Sequence, residues 1–467
     1  MKNTSPLSVI ALASPVYWPD ASELRCVFDT LATHLSAACS TPLALHLIHG
    51  APTDARLSAF DGKTAVLLPL SGGVQPALVN LSARLHHSAL ANAYLPGFLP
   101  VELGAQLLHR NAHPACTDFF AHARLAGRPS RWLASIKALH AYARAYAAVA
   151  ALRSARILRI GETEPWVINS TRDPARFRAA LGCEIIPLPA QALYDEFARV
   201  SDNDPDSILL SDGWWGAACQ RLDTGMADAC KATRVAVAMR RLLAAHDADA
   251  LAMACFAMIG VLDTTSCLAL STLNDSANAI GACEGDLDAA VTLYLLKQLG
   301  ADFVWIANPI IHASDCLDLA HCTAPRCACG EKLPYRLMRH HESGRGISPE
   351  VRLPGERVVT LARIGANLTE LCVHPGRTET VAKQPTCHTQ IRVHVPSSRC
   401  FLDTLNGTHI VMSYGDLCEE LSVCAELLGL RLTGSSDLKS TARSAQPVPV
   451  PFCACATERQ VLIDGNA

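Results

Sequence analysis

The stretch RILRIGETEPWVINSTRDPARFRAALGCEIIPLP, residues 156–189, decides the fold. Ile157, Leu158 and Ile160 form a short apolar run that Gly161 closes, which reads as a strand and its exit. A helix follows over DPARFRAALG: Asp173 is placed to cap it, Pro174 takes the first helical position, and Gly182 stands just past its end. A second apolar run, CEIIPLP, comes directly after. Strand, helix and strand in that order make a βαβ unit, whose two strands run parallel.

Working outward, the same alternation appears upstream. LSVIALAS (7–14) reads as a first strand, and TAVLLPL (64–70) as a buried strand running into Ser71, Gly72 and Gly73, the kind of turn that presents backbone donors at the carboxyl edge of a sheet. SRWLASIKALHAYARAYAAVAALRSA (130–155) reads as a long helix leading out of that region. Downstream, from Thr323, Pro, Gly, His and Cys become frequent, and ERVVTLARIG (356–365) and CHTQIRVHVP (387–396) alternate like antiparallel strands, with a helix over DLCEELSVCAELLG (416–429). After Gly434 the tail has little with which to build a core. The expected fold is α/β, with two parallel-sheet Rossmann-like domains (1–153 and 154–322) followed by a mainly antiparallel β domain (323–467).

Composition narrows the function. The chain has 467 residues, half of them apolar and only 18% charged, enough to bury cores of enzyme size. A net charge of −3 gives no cationic footprint, which excludes nucleic acid and an anionic membrane surface as partners. The longest apolar run, Ala250–Leu262, is shorter than the about 20 residues that cross a bilayer and suits a core strand and its approach. The N-terminal apolar run is broken at Pro15 and lacks a cleavage site, so the 20 cysteines read as reduced thiols of a cytoplasmic protein. Cys316, Cys322, Cys327 and Cys329 cluster without the spacing of paired C-x-x-C knuckles, leaving a zinc site and a Cys-rich loop as alternatives.

Chemistry is suggested by GACEGDLDAAVTLYLLKQLGADFVWIANP (281–309). Glu284 and Asp286 precede a helix whose Leu287, Ala290, Val291, Tyr294 and Leu295 share one face, and a buried strand then closes on Asn308. Helix starts favour carboxylates by about 0.3–1 kcal/mol, so capping accounts for the acids taken alone. Near the far end, NGTHIVMSYGD (406–416) sets His409 at a turn into a strand.

Together these segments resemble the L-fucose isomerase family. There, an acidic ligand in a Glu-Asn-Asp triplet is followed 24 positions on by an aspartate, the interval from Glu284 to Asn308. NGTHIVMSYGD resembles the family's C-terminal Asn-His segment, RVVTLARIG sits at the place of a Thr-Met-Thr-Arg strand, and LAHCTAPR, HHESGRG and CHTQ are similar to divergent fucose isomerase-like proteins. The likeness covers roughly Gly281 to Leu430. It implies a divalent metal, manganese, held by Glu284, Asn308 and His409. It also implies a sugar-like substrate whose proton two carboxylates move between C1 and C2 through an enediol, and a homo-oligomer in which the N-terminal region of one subunit covers its neighbour's site.

Asn308 departs from the pattern, because an amide can offer its carbonyl oxygen to a metal but cannot take up a proton at neutral pH. Glu284 is left as the single base, with Asp286, Asp315 or His321 as groups that could replace the missing acid. Asn406, Arg326 and His341 are candidate substrate contacts, with Arg345 a second cation for an anionic group. Adjacent residues diverge in a regular element, so at most one of His340 and His341 is expected to join Glu342 at a common site. Three functions stay open: an aldose–ketose isomerase, a related metalloenzyme such as an epimerase or lyase that moves one proton, and a sugar-binding homologue without turnover.

Overall fold

The computed structural model describes residues 5–276, 279–312 and 314–434; the tail after Gly434 lies outside the described residues. The described residues divide into two compact units, on either side of the boundary between 147 and 148.

The first unit holds a five-stranded, all-parallel sheet in the order Leu43–His49, Leu7–Ala13, Thr64–Pro69, His87–Ala91, Arg131–Leu133. Ile10, Leu12, Leu67 and Leu90 from its strands pack with Leu78, Leu81 and Phe119 from its helices. The segment expected to be helical from Ser130 instead donates Arg131–Leu133 to the sheet edge, and its helix starts at Ile136.

In the second unit the βαβ reading holds. Arg156–Ile160 and Glu184–Leu188 pair in parallel from Arg156 opposite Glu184 to Ile160 opposite Leu188. Between them the helix Pro174–Leu181 starts on Asp173, whose carboxylate accepts the Ala175 N–H at 2.9 Å, and stops at Gly182 with φ 82°. Ala250–Met253 and Ile280–Ala282 extend this sheet, again in parallel. The apolar run after Ala250 divides into that strand and a helix, Phe256–Leu262. Ile280–Ala282 lies at the sheet edge, and there the Asn274 amide occupies the place of a neighbouring strand: its Nδ2 donates to the Gly281 carbonyl and its Oδ1 accepts the Gly281 N–H, both at 2.9 Å.

A second sheet of seven strands runs Val358–Gly365, Ile410–Tyr414, Val304–His312, Cys316–His321, Thr389–His394, Glu370–Glu379, Arg431–Gly434. The first six pair antiparallel, and Val358–Gly365 also pairs with Glu370–Glu379, so these six close on themselves. Closure removes free strand edges. Its interior is filled by Trp305, Leu319, Leu361, Ile391 and Met412 among others. The strand expected to end at Asn308 in the parallel sheet belongs here, antiparallel to both neighbours, and continues to His312. A fully apolar run reads the same in either sheet type, since burial on both sides and not strand direction sets its composition. The fold is therefore mixed α/β, with two parallel sheets followed by a mainly antiparallel C-terminal sheet.

The helix Leu287–Gln298 packs against strands of both the four-stranded and the seven-stranded sheet. Every residue from Leu287 to Leu296 is buried, not the single face that periodicity suggests, because a helix covered on all sides has no solvent stripe. Among the described residues no single helix is long and apolar enough to cross a membrane.

One ion pair on the closed sheet gives acid sensitivity. Asp318, 3% exposed, accepts Arg392 Nε at 2.7 Å and Nη2 at 2.9 Å, and lies 2.9 Å from His312 Nε2. The Arg392 hydrogen bond is the chief cause that holds its carboxyl below the usual range, against burial, with His312 adding to it. A carboxyl lowered in the folded state stabilises fully above its unfolded pKa of about 3.9, and that contribution is lost as pH falls through the folded value. Urea midpoints of Asp318→Asn measured from neutral pH into acid should fall less steeply below about pH 4 than those of the wild type. Parallel curves would show that this pair does not set the acid limb.

Candidate functional site

The turn between Ile280–Ala282 and the helix Leu287–Gln298 places the first ligand candidate. Glu284 and Gly285 both adopt left-handed backbone, φ 58° and 65°. The segment around Thr163 locks the turn: Glu164 N–H donates to the Glu284 carbonyl at 3.0 Å, Thr163 Oγ1 donates to the Gly285 carbonyl at 2.8 Å, and Gly285 N–H reaches the Met253 carbonyl at 2.8 Å. A Cβ on Gly285 would stand 2.8 Å from Thr163 Cα. Gly285→Ala should therefore cost about 1–3 kcal/mol in urea denaturation, from backbone strain plus displacement of Thr163. A loss below a few tenths would mean that the turn relaxes freely.

The Glu284 side chain is 12% exposed. Its Oε2 accepts the Trp166 indole N–H at 2.7 Å, and its Oε1 lies 3.7 Å from His409 Nε2. Burial raises the Glu284 carboxyl, but the nearby His409, aided by His321 and by the Trp166 hydrogen bond, outweighs it and holds the group below the usual carboxylate range. His409, from the turn before Ile410–Tyr414, is 1% exposed. Burial lowers its imidazole, yet Asp286 and Glu284 overcome that and raise it. His321, at the end of Cys316–His321, brings its ring centroid to 5.6 Å from that of His409. Its Nδ1 is 3.0 Å from Thr323 Oγ1, leaving Nε2 for a ligand, and burial pushes it down to about 4, so it is neutral at physiological pH.

One ligand atom each from Glu284, His321 and His409 lie within 4.8 Å of one another. One carboxylate and two imidazoles so disposed form a donor set that suits a divalent transition ion, the outward nitrogen of His409 being fixed by what its other nitrogen bonds. That partner is Asp286, whose Oδ2 is 2.9 Å from His409 Nδ1.

Asp286 is fully buried and fully engaged. Arg363 Nη1 and Nη2 donate to its two oxygens at 2.9 and 3.2 Å, Ser170 Oγ donates at 2.9 Å, and the Ala289 N–H at 3.1 Å makes it the cap of the helix. Burial would raise its carboxyl, but Arg363 foremost and then His409 hold it far below the usual range. Asp288, also buried, goes the other way: burial and the charge of Asp286 outweigh Arg363 and push it up to about 7.

Glu284, Asn308, His321 and His341 line one cavity of about 50 Å³. Both His340 and His341 line it from an irregular turn, and of the two only His341 is paired with Glu342, at 3.5 Å. Asp286, expected as a base, stands behind His409 with its oxygens occupied. Arg326 is elsewhere, bound through Nε to Asp275 at 2.8 Å and stacked 3.9 Å from the Trp214 ring. Asn406 packs on Gly365, and Asp315 accepts from Ser398 N at 2.8 Å. Arg345 reaches Asp263 at 3.8 Å. Of the four clustered cysteines, Cys322 alone lines the cavity. Trp166, Arg363 and Glu164 escaped the sequence reading. Glu164 is 7% exposed, accepts the Phe256 N–H at 3.0 Å, and is raised by burial and by Glu284.

No protein-family profile matches the chain. It is 25% identical over 224 residues to a sulfoquinovose isomerase of Alkalicoccus urumqiensis. The match takes in 47% of this chain, and the chain spans about half the length of that curated relative, 48%. A solved structure described as a sugar binding protein from Salmonella typhimurium LT2 shares 13% identity over 63% of this chain and 88% of that one, with a TM-score of 0.14, too low to bear on fold or function.

Proposed function

We propose that this chain is a metal-dependent isomerase of a sugar-like substrate, with manganese held by Glu284, His321 and His409. The observation that carries the proposal is the convergence of one ligand atom from each of these three side chains, drawn from three distant segments, to within 4.8 Å of one another, beside a cavity that Glu284 and His321 line. The likeness to a sulfoquinovose isomerase supports the reaction class. A divalent ion at this place supplies Lewis acidity that polarises a sugar carbonyl and makes the neighbouring C–H acidic.

The chain's own residues do the rest. Glu284 is the ionised carboxylate facing the cavity and takes the proton from one carbon. Because Asn308 cannot relay protons, the same carboxylate returns it to the adjacent carbon on the same face, while the substrate's own hydroxyl proton passes to the former carbonyl oxygen. Asp286 and Arg363 hold the His409 ring in orientation from behind. Asn308 favours a second reading, in which a single proton is moved and the product is an epimer or a cleaved sugar.

The test uses the full chain with manganese, sulfoquinovose and a series of aldoses in deuterated water. The isomerase reading expects ketose with deuterium at one carbon. Exchange without ketose selects the second reading. Neither exchange nor metal uptake leaves a binding role.

A further inference from the structure

We infer that Cys322, His341 and Cys387 form a second metal site, selective for zinc, beside the carboxylate–imidazole centre and with its own ligands. One ligand atom from each lies within 4.8 Å of the other two. They come from three separate loops: Cys322 follows Cys316–His321, His341 lies between Tyr335–Met338 and Ser348–Val351, and Cys387 precedes Thr389–His394. No local motif announces them, since the ligands are 19 and 46 positions apart. A fourth thiol, Cys267 at the start of Cys267–Asn274, lines the same cavity.

The chemistry of the donors separates the two centres. Thiolates select zinc and other soft or borderline ions, whereas a carboxylate with two imidazoles suits manganese. Zinc sits about 2.3 Å from sulfur and about 2.0 Å from nitrogen, which puts tetrahedral ligand atoms roughly 3.5–3.8 Å apart. Side-chain rotation within the present cluster covers the difference. Binding proceeds with loss of the proton from each ligating thiol to solvent, the His341 ring ligating as neutral imidazole. Zinc held there would tie the three loops together around the cavity that the first centre shares. Consecutive residues then serve different ions: His321 turns to one and Cys322 to the other.

The experiment takes the reduced full-length protein, strips it with chelator, and titrates it with zinc alone and with cobalt(II) as a spectroscopic probe. Wild type should bind one zinc tightly per chain at this centre, and cobalt there should show a thiolate-to-metal charge-transfer band. Glu284→Gln should retain both signals, which separates this site from the proposed catalytic centre. Cys387→Ser and His341→Ala, each checked for folding by circular dichroism, should lose tight zinc and weaken the charge-transfer band. Absence of tight zinc and of the band in the reduced wild type overturns the inference, as does their full survival in both variants. Cobalt bands of purely nitrogen and oxygen ligation overturn it too.

Discussion

Glu284→Gln is expected to reduce sugar turnover by about 10²- to 10⁴-fold, the usual consequence of removing a general base. The amide keeps the shape of the side chain, and its carbonyl oxygen can still accept the Trp166 N–H that now bonds Oε2. What disappears is the negative charge facing His409 and His321, so manganese affinity should fall with turnover. Steady-state kinetics beside a metal-binding titration distinguish the two losses. Wild-type rate and wild-type manganese uptake in this variant would remove Glu284 from the site. The companion change, Asn308→Asp, restores an acid to the cavity and should raise proton exchange; no change there would mean that Asn308 lies off the proton path.

Arg363→Met is expected to destabilise the fold by about 3–5 kcal/mol, the range found when one partner of a buried ion pair is removed. Arg363 is fully buried, bonds both oxygens of Asp286, donates to the His409 carbonyl at 3.1 Å, and lies 3.8 Å from Asp288. Without it, Asp286 keeps only neighbours that include His409 and Ser170, Asp288 loses its neighbouring cation, and Met returns the volume but none of the charge. A urea midpoint that drops with unchanged slope is the signature. An unaltered midpoint would imply that water or protonation of the acids compensates in full. His409 should also lose its orientation, so manganese affinity should weaken even in the fraction that stays folded.

Local features were legible in the sequence because they are settled by neighbours in the chain. Asp173, Pro174 and Gly182 delimit a helix by capping, a fixed φ and a left-handed stop, and the structure has that helix between two parallel strands. Glu284 and His409 were legible as a pair through the spacing of two segments that resemble a known family. The rest depends on partners far away in sequence. Nothing near Asp286 reveals that Arg363, 77 residues later, would saturate it and make it a support for His409. Strand direction at Asn308 was hidden because Val304–Ala307 is apolar throughout. Arg326 looked available for an anion until Asp275, 51 residues earlier, was found to bind it. Trp166 lies in an irregular stretch that carries no periodicity, so no pattern could have marked it as a partner of Glu284.

The Asn274 side chain has a consequence for how the helix Cys267–Asn274 is seated. Ile280–Ala282 is a short buried border whose middle residue, Gly281, has a donor and an acceptor that no strand takes and that the overlying helix shields from water. By engaging both, Asn274 fastens its helix to that border, and a side chain unable to do so would strand two peptide groups in a dry interior.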